Sequence, residues 1–154
     1  MSSADYDALV AIAAQRYANS AAMVEASLRR YRPFDTQRNY SAEELEPYDA
    51  MCDRYLRAVE MAIRYFRTVE RARLALNSES YRDLLGNAAK WGLVADVDLW
   101  FRMRDLRNRI AHDYLPEHLQ RIYLAISGDY GPELLRLRDR LATLGSNTRG
   151  ADLL

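Results

Sequence analysis

The sequence predicts an all-α protein, an antiparallel up-and-down bundle of about five helices, and three observations carry that expectation. Apolar residues recur at three- and four-residue steps nearly from end to end, no stretch alternates in the manner of a half-buried strand, and proline, glycine and capping residues punctuate the periodic runs. With 154 residues and 49 % hydrophobic content the chain suffices for one buried core, and a second domain is not expected. Amphipathic helices joined by short links bury their apolar stripes against one another as an antiparallel bundle.

The first helix is expected from about residue 4 to 30, where Leu9, Ile12, Ala13, Tyr17, Val24 and Leu28 keep helical spacing and Pro33 stops the run. Residues 32–40 read as a polar loop. Ser41 with Glu44 three residues on has the form of a capping box, so a second long helix starts there. Its face is Tyr48, Cys52, Tyr55, Val59, Ala62, Phe66 and Val69, widened by Met51, Leu56 and Ile63, and Pro47 lies near enough to the start to be tolerated. A third helix spans Tyr81 to Trp91 between a Ser80 cap and Gly92. The fourth opens on Asp96, with Asp98 in the first turn near the positive helix end, and turns Val97, Trp100, Met103, Leu106 and Ile110 inward. The fifth follows Pro116 and is broken or bent around Gly128 to Pro132 before Leu134, Leu135, Leu137 and Leu141 resume the rhythm. Residues 1–144 form the domain and 145–154 a flexible tail.

Charge excludes several functions. Lys and Arg total 22, Asp and Glu total 22, and the net charge is zero, so a general nucleic-acid coat is ruled out. All the basic residues are arginine except Lys90, and arginine richness alone carries no site information. Clusters do: Arg102, Arg104, Arg107 and Arg109 lie on one expected helix, and Arg29, Arg30 and Arg32 form a second group. No window approaches the roughly 18 apolar residues of a membrane span. Met1 to Asp5 offers neither a basic start nor an apolar run, so no export signal is expected and a cytoplasmic location is. The single cysteine, Cys52, has no partner for an intramolecular disulfide and is expected in the core. No glutamate is followed by histidine three residues on, no paired Cys and His spacing together suggests zinc, and the glycines form no phosphate loop or dinucleotide fingerprint, so neither metal nor cofactor is expected.

One stretch has the residue types for chemistry: Arg107-Asn108-Arg109-Ile110-Ala111-His112-Asp113-Tyr114. A guanidinium fork binds phosphate oxygens, an imidazole titrates near neutrality, and an amide both donates and accepts. Together these suit phosphodiester cleavage without a metal. An arginine four residues ahead of a histidine arises by chance in roughly one chain in four of this composition, but the added asparagine and tyrosine lower that to about one in a thousand. Helical geometry puts Arg107, Ala111 and Tyr114 on one face, with Asn108 and His112 on the neighbouring strip. Structural explanations stand beside this one. His112 suits a helix C-terminus, Tyr114 could be core, Arg107 could pair with Asp105 or Asp113, and His118 reads as an exposed helix residue.

Arg107-Asn108, His112 and Tyr114, preceded by Trp100 and Met103, resemble the motif of the HEPN superfamily, specifically its HepT-like and nucleotidyltransferase substrate-binding branches. The resemblance is strongest over residues 92–117, agrees in helix order over 44–142, and is less clear over 1–40. Asp105 stands where many toxin members carry glycine. The resemblance implies a bundle that dimerises through its motif helices, a metal-independent ribonuclease, and a toxin held in check by a small nucleotidyltransferase. It makes Arg107 the phosphate binder, His112 the proton-transfer residue, Asn108 their support, and Tyr114 the hydroxyl to which the partner adds AMP. Arg104 and Arg109 become candidates for holding RNA. The other reading it allows is a non-catalytic subunit that serves a nucleotidyltransferase without cutting RNA.

Overall fold

The computed structural model describes residues 1–151, with side chains described through residue 145. Its helices are α1 (Ser3–Arg30), α2 (Ala42–Leu74), α3 (Tyr81–Lys90), α4 (Val97–His112), α5 (Pro116–Ala125) and α6 (Gly131–Ala151), with a π-helical turn, Ile126–Tyr130, joining the last two. The π turn makes α5 and α6 one continuous rod, so the bundle has five rods. No strand occurs among the described residues.

Side-chain caps start the helices where the sequence places them. Ser41 and Glu44 form the expected box, the Glu44 amide donating to Ser41 Oγ at 3.2 Å and the Ser41 amide to Glu44 Oε1 at 3.1 Å. Ser2 and Asp5 form another at the head of α1. Ser80 accepts from the Asp83 amide and Asp96 from the Leu99 amide, and Gly92, at φ +73°, supplies the left-handed residue just beyond α3.

α1 packs chiefly on α2 and then on α6, and the core lies among α1, α2, α4 and the bent rod. The motif helix is locked into it. Trp100, Met103 and Leu106 are fully buried, while Val97 and Ile110 pack at its edge. Trp100 Nε1 donates to Glu133 Oε1 at 3.0 Å, and Arg136 holds that carboxylate at 2.7 Å. The Tyr55 hydroxyl donates to the Met103 carbonyl at 2.6 Å, and the Tyr81 hydroxyl reaches the Trp100 carbonyl at 3.4 Å. Burial pushes both phenols up, so they remain protonated donors. Each such bond contributes about 1 kcal/mol. Their combined effect is rotational: with Trp100, Met103 and Leu106 fixed inward, Arg107, Asn108 and His112 must face water.

Several expectations are corrected. Leu9 and Ile12 keep the helical spacing of the α1 apolar residues, but they do not join its buried face and are 40 % and 49 % exposed. At 3.6 residues per turn, Ile12 lies roughly 140° and Leu9 roughly 80° around the helix from Tyr17, whose side chain is fully buried. The stretch 32–40 is not simply polar loop. Phe34 is buried, stacked on Tyr40 at 4.7 Å and edge-on to Tyr48 and Tyr123, and Gln120 donates to its carbonyl. An isolated aromatic has no periodicity, so its burial leaves no pattern in sequence.

The bend around 128–132 is the π turn. A Cβ at Gly131 would lie 2.5 Å from the Ile126 carbonyl oxygen and 2.9 Å from Leu28 Cδ1, so close approach to α1 requires glycine there. The wider turn also accommodates Pro132, which has no amide hydrogen to give. The backbone is helical from Gly131 through Ala151, and residues 152–154 of the segment read as a tail lie outside the described residues.

Candidate functional site

α4 ends at His112, because Asp113 is already extended at φ −81°, ψ +134° and Pro116 follows. In a continued helix the Pro116 ring would collide with the His112 carbonyl, four residues back. Tyr114 therefore lies in the link between α4 and α5. Its expected place on the helical face of Arg107 and Ala111 is corrected: only those two keep that register. Tyr114 is 80 % exposed, which removes the core explanation for it.

Asn108 and His112 are both exposed, one turn apart on α4, and neither has a hydrogen-bond or ion-pair partner among the described residues. Arg107 is differently placed. Its Nη1 lies 3.4 Å from Glu60 Oε1 on α2, both side chains being about half exposed, so it pairs with neither Asp105 nor Asp113. Arg109 is the residue that pairs with Asp113, at 3.6 Å, and His118 Nδ1 lies 3.9 Å from the same carboxylate. Arg104 stacks its guanidinium over the Tyr81 ring at 4.4 Å, a cation–π contact that ties its charge to the start of α3. Of the proposed RNA holders, Arg104 and Arg109 are thus already engaged within the chain.

A cavity of about 410 Å³ opens beside Tyr114, between α2, the end of α4 and α5. Leu45, Leu56, Ile110 and Leu119 give it apolar walls, and Asp49, Asp53 and Asp113 stand around it. Three carboxylates repel a phosphate. Cys52 lies at this cavity too, but burial pushes its thiol up to about 12, leaving no thiolate for nucleophilic attack. A phosphodiester would meet instead the outward strip of Arg107, Asn108 and His112. That strip offers one imidazole, one guanidinium and one amide on an open surface. The chain thus offers a single imidazole on this strip.

Glu60 had no signal in the sequence. It is 47 residues from Arg107 and keeps no spacing relative to the motif; only packing of α2 against α4 brings them together. Among the described residues no three His, Cys, Asp or Glu side chains converge as a metal site.

The structure is a helical bundle with an exposed Arg-Asn…His strip at the end of α4 and an exposed tyrosine just beyond it. The chain belongs to the family described as "Nucleotidyltransferase substrate binding protein like", which it matches over residues 13–143, and that family is one of HEPN-like helical proteins linked to nucleotidyltransferases. The match covers most of α1, all of α2 to α5, and α6 up to residue 143. Neither a curated protein nor a solved structure matches the chain. No helix among the described residues is long and apolar enough to cross a membrane.

Proposed function

We propose that the protein is a metal-independent endoribonuclease, the toxin of a toxin–antitoxin pair, held inactive by a nucleotidyltransferase antitoxin that adds AMP to Tyr114. The observation that carries this reading is the exposure of Tyr114 two residues past His112: a hydroxyl open to a second protein, beside the only exposed histidine of the motif. Family membership supports the nucleotidyltransferase as partner.

In cleavage, the 2′-hydroxyl of RNA attacks the adjacent phosphorus, the bond from phosphorus to the 5′-oxygen breaks, and a cyclic phosphate and a 5′-hydroxyl result. One His112 takes the 2′-hydroxyl proton and a second protonates the leaving oxygen. Arg107 balances charge on the phosphorane, exchanging Glu60 for phosphate oxygens, and Asn108 orients them. A two-fold homodimer with facing α4 helices supplies the second His112 and makes the composite cleft that one protomer lacks. In regulation, the Tyr114 oxygen attacks the α-phosphorus of ATP and pyrophosphate leaves. The attached phosphodiester then brings a negative charge to the strip that must bind RNA phosphate.

A second reading has its own support. Arg107 neutralised by Glu60, with an unpartnered His112, also suits a non-catalytic subunit that presents Tyr114 to its nucleotidyltransferase. Cleavage separates the two. The purified protein should cut RNA in excess chelator, and His112→Ala and Arg107→Ala should each remove most activity with circular dichroism unchanged. Undiminished cutting by either variant removes the catalytic assignment, and no cutting by the unmodified protein favours the second reading.

A further inference from the structure

On the α1–α2 side of the bundle lies a groove of about 590 Å³. Its wall is basic: Arg16 comes from α1, and Arg64, Arg67 and Arg71 from one face of α2. No carboxylate lines it. Arg67 donates to the Ser78 carbonyl at 3.1 Å and Arg71 to Asn77 Oδ1 at 3.2 Å, contacts that hold both guanidinium groups in place without cancelling their charge. Arg16 and Arg64 make no ion pair among the described residues. In a chain with no net charge, and with paired arginines elsewhere on the bundle, four arginines on one groove, of which only Arg67 shares its charge with a carboxylate, the buried Glu70, form a local positive field.

The floor is aliphatic. Leu9 and Ile12, which α1 turns away from the core, are 40 % and 49 % exposed, and Met61 faces them from α2. From Tyr6 to Arg16 the groove follows α1 for ten residues, about 15 Å or nearly three helical turns. Single-stranded nucleic acid is held by aromatic platforms as well as by charge, and Tyr6 is the one aromatic residue lining the groove. Aliphatic floor, basic walls and helical length together match another ligand.

The geometry points to this groove as the docking site for an acidic amphipathic helix of a partner protein. Its leucine-like side chains would lie on Leu9, Ile12 and Met61, and its carboxylates would face Arg16, Arg64, Arg67 and Arg71. Helix-in-groove recognition reads anchors at three- and four-residue steps, the spacing over which the α1 floor residues are set. The site is on α1 and α2 and does not depend on the motif, so it stands whether or not the protein cleaves RNA.

Fluorescence anisotropy tests it with a labelled synthetic peptide of about three helical turns, carrying leucine at helical spacing with glutamate between, and with a scrambled isomer of the same composition. The ordered peptide should bind at least about tenfold more tightly than the scrambled one. Arg16→Ala with Arg64→Ala should weaken it by about tenfold or more, and so should Ile12→Ser, a change at an exposed position that leaves circular dichroism unaltered. Equal affinity for the two peptides reduces the groove to unspecific charge and overturns the proposal. So does a single-stranded RNA oligonucleotide that displaces the peptide at equal concentration, or a homodimer that Ile12→Ser dissociates.

Discussion

Glu60 should act as a competitor for Arg107, and its removal should help rather than harm phosphate binding. The pair spans 3.4 Å, with Arg107 52 % and Glu60 46 % exposed. Water screens charges so placed, and exposed pairs of this kind contribute at most about 1 kcal/mol. An RNA phosphate that displaces Glu60 gives up that contribution. Glu60→Gln keeps the size and removes the charge, so RNA affinity should rise by up to about fivefold, with melting temperature lowered by no more than about 4 °C. The gain should shrink with added salt, since the lost repulsion between Glu60 and the phosphate is itself screened. The assay is anisotropy of a labelled RNA oligonucleotide titrated with wild-type, Glu60→Gln and Arg107→Ala proteins at two ionic strengths, with His112→Ala in the background to prevent cleavage. If Glu60→Gln binds RNA less tightly, or loses cleavage in the otherwise unaltered protein, Glu60 takes part in the chemistry and the competitor reasoning is wrong.

Glu70 should set acid stability. Burial alone raises its carboxyl pKa, but hydrogen bonds from the Ser78 hydroxyl and amide, both at 2.6 Å, from Asn87 at 2.8 Å, and the charge of Arg67 outweigh burial and leave it lowered. A lowered folded pKa means stability fully present above the ordinary value of 4.5 and lost as pH falls through the folded value, so denaturation midpoints should drop below about pH 4.5 in the wild type and much less in Glu70→Gln. Glu70→Ala, which strands the donors that tie α2 to the following loop and α3, should cost about 3–5 kcal/mol by urea unfolding at pH 7. Gly131→Ala should cost about 1–3 kcal/mol, because its methyl group would press on the Ile126 carbonyl and Leu28; wild-type stability would show that the π turn relaxes without cost.

Most of the fold was legible because its signals are local. Ser41 with Glu44, Ser80, Asp96 and Gly92 act within a few residues of where they stand, and the seven-residue face from Tyr48 to Val69 is buried throughout. Long-range features were not legible. Phe34 is buried by Tyr40, Tyr48 and Tyr123, which lie in three separate segments, and the exposure of Leu9 and Ile12 follows from where α2 and α6 meet α1 rather than from the residues themselves. At the site, the residue types of the strip were readable from sequence. Its charges were legible only in part: Asp113 on Arg109 is a local pair four residues apart, but Glu60 on Arg107 and the Tyr81 ring under Arg104 depend on packing, and Tyr114 leaves the helix because of a proline two residues downstream.

The most direct test is modification of Tyr114. The protein is incubated with ATP and its nucleotidyltransferase partner, and intact and peptide mass spectrometry are read alongside RNA cleavage in chelator. One or more AMP masses should be found on Tyr114 and not on Tyr114→Phe, and cleavage should fall in proportion to the modified fraction while Tyr114→Phe keeps cutting. An active nucleotidyltransferase that leaves an 80 % exposed Tyr114 unmodified, or a fully modified protein that cuts RNA undiminished, would contradict the regulated-ribonuclease reading.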